Sequence, residues 1–203
     1  MTRLTCLLMI GTLASGLLIA PDTARADDIL DQIDEAIALY KQGDYSGAIA
    51  EFDFITTQIR QLQAGRVADA LPPALPGWKT EDAETNAMSG AMLGGGISAE
   101  RTYTKGKAEV DIQLIGESPM LQGILMMFKN PMILSSSGKK LKRISGLKAA
   151  CEYDADDRSG EIMMVAHNAV LITVQGTDVD EDDLQAYAEA IDIDLIGKVV
   201  SGN

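Results

Sequence analysis

The amino-acid sequence predicts an α+β protein in which an N-terminal antiparallel helical hairpin precedes an antiparallel sheet of about six strands with two helices. Apolar residues recur at helical spacing over residues 28–63 and alternate at strand spacing from about residue 97, and a Pro-rich stretch separates the two regions. The predicted organisation is a signal peptide at 1–26, a helical hairpin at 27–66, a Pro-rich linker at 67–78, the sheet domain at 79–198 and a flexible tail at 199–203.

The first 26 residues have the pattern of an export signal. Arg3 precedes an apolar run from Leu7 to Ala20, and Ala24-Arg25-Ala26 supplies small residues at the two positions that a signal peptidase recognises. The run is shorter than the ~18 apolar residues that a membrane span requires, and no later stretch approaches that length. We therefore expect cleavage after Ala26, no membrane span and a periplasmic location.

The composition argues against several classes of protein. The formal net charge is −13, and removing residues 1–26, which carry two arginines and one aspartate, leaves −14. Such acidity argues against a general nucleic-acid or anionic-membrane surface. Cys6 leaves with the signal, so Cys151 is the only cysteine of the mature chain, which therefore cannot form an internal disulfide.

Residues 28–63 predict two helices joined by a tight turn. Apolar residues recur every three or four positions up to Tyr40 and again from Ala48, and Gly43-Asp44 interrupts the pattern. Because the break is so short, the two helices are expected to form an antiparallel hairpin. We expect Gly65 to end the second helix.

The segment AIALYKQGDYSGAIAEF, residues 36–52, resembles the middle of a tetratricopeptide repeat. Gly43-Asp44-Tyr45 stands where that family turns, and Ala48 and Phe52 match the small-then-aromatic pair that packs its helices. The resemblance covers about one repeat, and no proline follows at the end of the second helix. It implies a helical hairpin with a surface for a partner protein, and Tyr45 and Phe52 are the candidate contact residues.

A Pro-rich and a Gly-rich stretch flank the start of the sheet domain. Each proline of residues 71–76 disfavours helix at the residue before it, which predicts a stiff extended linker. We expect Trp78, the only tryptophan, to plug the rim of the following domain. Residues 86–96, NAMSGAMLGGG, are small and Gly-rich, which predicts a mobile loop. Their glycines have neither the Lys-Ser/Thr of a P-loop nor the Rossmann spacing, which argues against phosphate binding.

From residue 97 the pattern predicts two hairpin-linked strands, a helix, four strands and a closing helix. The last two strands are apolar on both faces, so they are expected in the middle of the sheet. This order loosely resembles the PsbP family, the extrinsic proteins of photosystem II, and the resemblance implies the fold without a function. The predicted strands are 97–104, 108–114, 140–145, 147–153, 161–167 and 170–175, and the predicted helices are 120–129 and 180–190.

Cys151 and His167 are the only thiol and imidazole of the mature chain, so a Cys–His nucleophile pair is the first enzymatic hypothesis. A symmetric hairpin that pairs Tyr153 with Glu161 places them on one face about 13 Å apart, at ~3.3 Å per residue. That distance is far beyond a hydrogen bond. We therefore expect no catalytic residue here.

The acidic segment from Asp154 to Glu161 resembles a calcium-binding loop at first sight. Arg158 stands where a ligand is needed, and Ser159 replaces the required glycine. A solvated hairpin loop is therefore the favoured interpretation, and we expect no metal site and no cofactor.

Methionines concentrate in and around the helix at 120–129. Thioethers bind Cu(I), so an exported copper carrier is one hypothesis, and a small apolar ligand between this helix and the sheet is another. Methionine also fills core gaps and adaptable binding surfaces, so a core or an apolar groove is favoured. The residues are Met120, Met126, Met127, Met132, Met163 and Met164, of which Met120, Met126 and Met127 are candidate partner contacts.

A basic and an acidic segment stand apart in the C-terminal half. Residues 139–148 carry five cations and no acid, and residues 178–194 carry eight acids and no base. The basic segment is either a landing surface for an anionic partner or an edge strand that lysines protect from aggregation, and the second interpretation is favoured. Its candidate partner contacts are Lys139, Lys140, Lys142 and Arg143.

The sequence as a whole predicts a non-catalytic exported accessory or binding protein that acts through protein–protein contacts. The single mature His and Cys, and the lack of a triad, metal-ligand spacing or nucleotide loop, support this hypothesis. The expected partner is an unidentified protein or a second copy of the chain, and not nucleic acid. Two alternatives stay open: a carrier of a small apolar ligand or of Cu(I) that uses the Met-rich helix, and a hydrolase that uses carboxylates alone.

Overall fold

The computed structural model describes residues 22–88, 96–118, 120–130 and 138–202. Within these ranges a pair of helices is followed by an antiparallel sheet with further helices, which confirms the predicted α+β class. None of the described helices is both long enough and apolar enough to cross a membrane.

The first two elements are helix α1, Asp22–Gln42, and helix α2, Tyr45–Ala68, which pack against each other as a hairpin. Gly43 turns the chain with a positive φ of 84°, which a glycine adopts without strain. The Asp44 carboxylate caps α2 by accepting a hydrogen bond from the Gly47 N–H at 3.0 Å. The two helices therefore meet at the turn that the sequence predicts.

Helix α2 does not end at Gly65, so that expectation was wrong. The helix continues to Ala68, and Ala64, Val67 and Ala68 of its last two turns are buried in the core of the sheet domain. A glycine inside a helix costs about 1 kcal/mol relative to alanine. Burial of these apolar side chains outweighs that cost.

Among the described residues, eight strands form one sheet, and each of its pairs is antiparallel. The strand order is β1-β3-β4-β8-β7-β6-β5, and β2 follows β1 along the same edge of β3. The inner position of β7 and β8 confirms the prediction, whereas the short strands β1 and β2 were not predicted. The strands are β1 Lys79–Thr80, β2 Glu84–Met88, β3 Gly96–Lys105, β4 Ala108–Gly116, β5 Lys140–Ile144, β6 Leu147–Asp154, β7 Ser159–Ala166 and β8 Val170–Thr177.

The β6–β7 hairpin is one residue out of the predicted register. Tyr153 lies opposite Gly160, and not opposite Glu161. The glycine is required there, because a Cβ atom at Gly160 would lie 2.8 Å from the Tyr153 ring and 2.7 Å from the Glu152 carbonyl oxygen. The side chain that faces Cys151 is therefore Ile162.

Helices cover both faces of the sheet. The end of α2 packs on one face, the inner face, together with α4 and α5, while α3 packs on the opposite, outer face against Ala150. Helix α5 was not predicted as a helix, and it extends into residues 199–201, which the sequence assigned to a flexible tail. The bounds are α3 Met120–Lys129, α4 Glu181–Glu189 and α5 Ile193–Ser201.

The Pro-rich segment after α2 packs onto the inner face. Leu71 is buried, and its carbonyl oxygen accepts a hydrogen bond from the Arg101 guanidinium at 3.3 Å. The Pro72 carbonyl accepts hydrogen bonds from Arg101 at 3.2 Å and from the Tyr103 hydroxyl at 2.6 Å. The segment predicted as a stiff linker thus also fixes the end of α2 to the sheet.

Trp78 is buried at the rim of the sheet domain, as the sequence suggests. Its ring lies edge-on to Tyr187 of α4, with the centroids 5.2 Å apart, and the Lys105 ammonium lies 5.4 Å from its centroid. The Tyr187 hydroxyl accepts a hydrogen bond from the Leu75 N–H at 3.3 Å. These contacts hold the segment from residue 69 to residue 78 in one position.

Candidate interaction surface

The hairpin has a small core of its own, apart from that of the sheet domain. Ile29, Ala36 and Ile55 are buried between α1 and α2, and Ile33 and Leu62 pack against them. Helix α1 packs chiefly against α2, and only the last turns of α2 enter the core of the sheet domain. Helix α1 and the first half of α2 therefore project from the sheet.

The projecting hairpin exposes many large apolar side chains. Each of them is more than one third exposed, although the helical pattern alone would place them in a core. The exposed fractions are 61% for Leu30, 37% for Ile37, 61% for Tyr40, 60% for Tyr45, 63% for Ile49, 43% for Phe52, 55% for Phe54 and 47% for Ile59.

All of these side chains except Phe54 lie on one side of the hairpin. In α1, Leu30 follows the buried Ile29 by one position, and in α2, Ile49 follows the buried Ala48 by one position. Each residue of a helix is rotated by about 100° about the helix axis relative to the residue before it. Because the two helices run antiparallel, the residue that follows a buried contact residue points to the same side of the hairpin in both helices. The residues of this surface, which we call the hairpin face, are Leu30, Ile37, Tyr40, Tyr45, Ile49, Phe52 and Ile59.

Phe54 lies on the opposite side of the hairpin. It precedes the buried Ile55 by one position, so the same rotation turns it away from the hairpin face. It instead borders a groove that Ile29 and Leu62 also line. Phe52 and Phe54 are therefore a matched pair of half-exposed phenylalanines on opposite sides of one helix.

Tyr45 and Phe52, the partner contacts predicted from the repeat-like segment, both belong to the hairpin face. The Tyr45 ring also contacts the Tyr40 ring across the turn, with their centroids 5.5 Å apart. Sequence reasoning missed the exposure of Leu30, Ile49 and Ile59. Helical periodicity shows that a side chain lies on a stripe, and it does not show whether another element covers that stripe.

Acidic residues outnumber basic ones around this surface. Residues 27–66 carry eight Asp and Glu against three Lys and Arg. Among the described residues, Arg60 lies near the end of the hairpin face, with its Nε atom 3.9 Å from a Glu117 carboxylate oxygen. The hairpin is therefore an acidic module with an apolar side.

Residues 140–144 of the basic segment form β5, which is an edge strand of the sheet. Lys142 forms an ion pair with Glu181 of α4 at 2.7 Å, and Lys139 forms ion pairs with Glu152, at 3.3 Å, and with Glu161. Acidic residues of the same chain therefore neutralise two of the four candidate cations. An edge strand rich in lysine also resists pairing with another sheet.

The ion pairs stabilise the charged forms of both lysines. The hydrogen bond and the charge of Glu181 raise the pKa of Lys142, and the same contact lowers the pKa of Glu181. Burial acts to lower the pKa of Lys139, but Glu161 and Glu152 outweigh it, so that the pKa is raised overall. Lys140 and Arg143 are exposed, and the Arg143 guanidinium donates a hydrogen bond to the Gly146 carbonyl at 3.4 Å.

The described methionines do not converge on one point. Met127 packs with Phe128 and Met163 against the outer face, whereas Met164 is fully buried on the inner face. Met126 is 71% exposed. The side chain of Met120 and the whole of Met132 lie outside the described residues. A Cu(I) site needs several thioethers close together, and among the described side chains Met127 and Met163 share one cluster while Met164 lies on the other face of the sheet.

Cys151 and His167 are separated. The Cys151 thiol is buried on the inner face, and burial raises its pKa. It lies opposite Ile162, and His167 follows Ile162 by five residues, or about 16 Å at ~3.3 Å per residue. His167 has a positive φ of 50°, and its Nε2 atom lies 3.2 Å from the Ile193 carbonyl oxygen.

The acidic β6–β7 loop forms an ordinary turn. The Asp154 carboxylate accepts hydrogen bonds from the backbone N–H groups of Asp156, at 2.9 Å, and of Asp157, at 3.2 Å. Arg158 pairs with Asp180 at 2.9 Å. Within the described part of the chain, no group of three or more His, Cys, Asp or Glu is placed to hold a metal ion.

The comparisons with known proteins do not add a family. No family model matches the chain, and neither a curated protein nor a solved structure matches it significantly. The resemblances to a tetratricopeptide repeat and to the PsbP fold therefore stay predictions.

Proposed function

We propose that this protein is an exported, non-catalytic accessory protein of the periplasm that acts through protein–protein contacts made by the hairpin face. The observation that carries the proposal is the set of seven large apolar side chains, each 37–63% exposed, on one side of a projecting hairpin. At about 200 Å² for a fully exposed aromatic side chain, Tyr40, Tyr45 and Phe52 alone present about 330 Å², and four leucine and isoleucine side chains add to this area. The largest apolar patch of a typical soluble monomer is about 300–600 Å² and is often functional, so this surface favours a binding role.

The absence of a buried acid supports a role without catalysis. Carboxyl groups that act as general acids usually lie in apolar surroundings, which raise their pKa. Among the residues that the structure describes, no Asp or Glu side chain is buried. A hydrolase that uses carboxylates alone therefore finds no support in the described part of the chain.

Export is compatible with the hairpin. Helix α1 begins at Asp22, so cleavage after Ala26 removes less than its first two turns. Ile29 and Ala36, which form the core of the hairpin with Ile55, remain in the mature chain. We expect the protein purified from its host to begin at Asp27, and intact-mass measurement checks this. A chain that keeps Met1 would contradict export by cleavage.

Site-specific photo-cross-linking in the host tests the binding role. A photoreactive amino acid at position 49 is expected to give a discrete adduct, because Ile49 lies in the hairpin face. The same amino acid at position 54 is the control, since Phe54 is similarly exposed on the opposite side. Equal adducts from both positions would contradict the proposal.

A panel of hydrolase substrates tests the non-catalytic role separately. We expect no turnover by the purified mature protein. Turnover that a single Asp→Asn or Glu→Gln substitution abolishes would overturn the assignment as an accessory protein.

A further inference from the structure

We propose that the partner of the hairpin face is a second copy of this chain, and that α2 packs antiparallel against α2 of that copy in a four-helix arrangement. This inference rests on the proposed function, because it names the occupant of the same surface. Three observations carry it: the spacing of the exposed side chains along α2, the equal distances of Tyr45 and Ile59 from Phe52, and the area of the surface.

The spacing along α2 indicates that the occupant is a helix. Tyr45, Ile49, Phe52 and Ile59 fall at intervals of four, three and seven residues, with Thr56 at the intermediate position. Intervals of four and three produce the seam along which helices of coiled coils and bundles interlock their side chains. A lipid or an extended peptide does not require this spacing.

The two outer residues of the stripe lie at equal distances from Phe52, an arrangement that suits a second copy of the same helix. Tyr45 and Ile59 lie seven residues before and after Phe52. In an antiparallel pair with its two-fold axis at Phe52, the two Phe52 rings meet, and Tyr45 of each copy meets Ile59 of the other. A two-fold contact requires this self-complementarity, since the same surface is used twice.

The area is of the order that a dimer contact needs. On each copy the three aromatic side chains of the hairpin face present about 330 Å², at about 200 Å² for a fully exposed aromatic side chain, and four leucine and isoleucine side chains add to this area. Specific interfaces bury roughly 800 Å² on each partner, and the minimum for a biological contact is about 1,000 Å² in total. Helix α1 contributes Leu30 and Ile37 to this area, so both helices of each hairpin take part.

Charge opposes the dimer and provides a test of it. Without residues 1–26 the chains carry −14 each, and the hairpins are themselves acidic. Like charges repel over about 30 Å at 0.01 M salt but over only about 8 Å at 0.15 M. We expect the dimer dissociation constant to fall as salt is raised over this range, whereas contact with a basic partner would weaken.

Sedimentation equilibrium of the mature protein at 1–100 μM in 0.15 M salt tests the inference. We expect a reversible dimer, whose dissociation constant rises at least tenfold in Ile49→Ala and in Phe52→Ala, because both side chains lie near the two-fold axis. Phe54→Ala is the matched control, with an expected change of less than threefold. A protein that stays monomeric at 100 μM, or a dimer that Phe52→Ala does not weaken, would overturn the inference.

Disulfide trapping tests the register independently. Phe52→Cys is expected to give a covalent dimer on mild oxidation, because Cα atoms at the two-fold axis of packed helices come within the ~7 Å that a disulfide requires. Phe54→Cys is expected to stay monomeric, and equal trapping of the two variants would contradict the antiparallel α2 contact. A monomeric protein whose adduct at position 49 contains a different protein would remove the dimer and leave the proposed function intact. A dimer that also shows carboxylate-dependent turnover would contradict the proposed function and leave the dimer intact.

Discussion

The hydrogen bond from Tyr103 to the Pro72 carbonyl is expected to stabilise the fold at neutral pH and to lose that effect at alkaline pH. Tyr103 has no exposed surface, and burial raises the pKa of its phenol to about 12, although the nearby Arg101 acts to lower it. The perturbation is Tyr103→Phe, which removes the hydroxyl and keeps the ring.

The magnitude follows from two opposing effects. At neutral pH the substitution removes one hydrogen bond of 2.6 Å, with a net contribution of about 1 kcal/mol. The cost stays near this value, because the Pro72 carbonyl keeps its hydrogen bond from Arg101 at 3.2 Å. At high pH, ionisation of Tyr103 in the unfolded chain lowers the unfolding free energy of wild type but not that of the variant. The difference in unfolding free energy between the two proteins therefore changes sign.

The sign follows from the raised pKa. In the unfolded chain the phenol ionises from about pH 10, whereas in the folded protein it stays neutral until about pH 12. Its contribution to the free energy of unfolding is therefore complete below pH 10 and is lost as the pH rises toward 12. At about 1.4 kcal/mol per pKa unit, wild type loses about 1.4 kcal/mol by pH 11. Wild type and variant should thus be about equally stable near pH 11.

Urea unfolding at pH 8, 10 and 11 measures this difference. Emission from Trp78, the only tryptophan, reports unfolding, because its ring is buried beside Tyr187 in the native state. Burial also raises the pKa of Tyr187, but that residue is present in both proteins, so the difference between them isolates Tyr103. A difference that stays constant from pH 8 to pH 11 would refute the reasoning.

Three further predictions concern packing and reactivity. Gly176→Ala should destabilise the protein by about 2 kcal/mol in urea unfolding, because its Cβ would lie 2.3 Å from a methyl group of Val179. Gly65→Ala should stabilise it by up to about 1 kcal/mol, because no atom beyond the neighbouring helix backbone would lie within 4 Å of the added Cβ. If α3 is a core helix, Phe128→Ala should cost about 3 kcal/mol and Met126→Ala almost nothing, and equal costs would contradict this packing. Cys151, buried and with a raised pKa, should react with a thiol reagent only as fast as the mature protein unfolds, and rapid labelling of the native state would contradict its burial.

The sequence by itself determined the local elements of this protein. The hairpin turn depends on Gly43, which adopts a positive φ, and on Asp44, which caps α2 by a hydrogen bond to a residue three positions away. The inner position of β7 and β8 followed from apolar residues on both faces of each strand, because only a strand covered on both faces keeps such a pattern. In all these cases, the information lies within a few consecutive residues.

Contacts between distant parts of the chain decided the rest. Helix α2 passes Gly65 because the sheet buries the turn that follows, and the β6–β7 register depends on the space that Tyr153 leaves at Gly160. The candidate surface has the same origin. A helical stripe of apolar residues is equally suited to a core and to an interface, and only the position of α1 relative to α2 leaves Ile49 and Phe52 exposed while Ile55 is buried. Burial is a property of the assembled fold, so no pattern along the chain contains it.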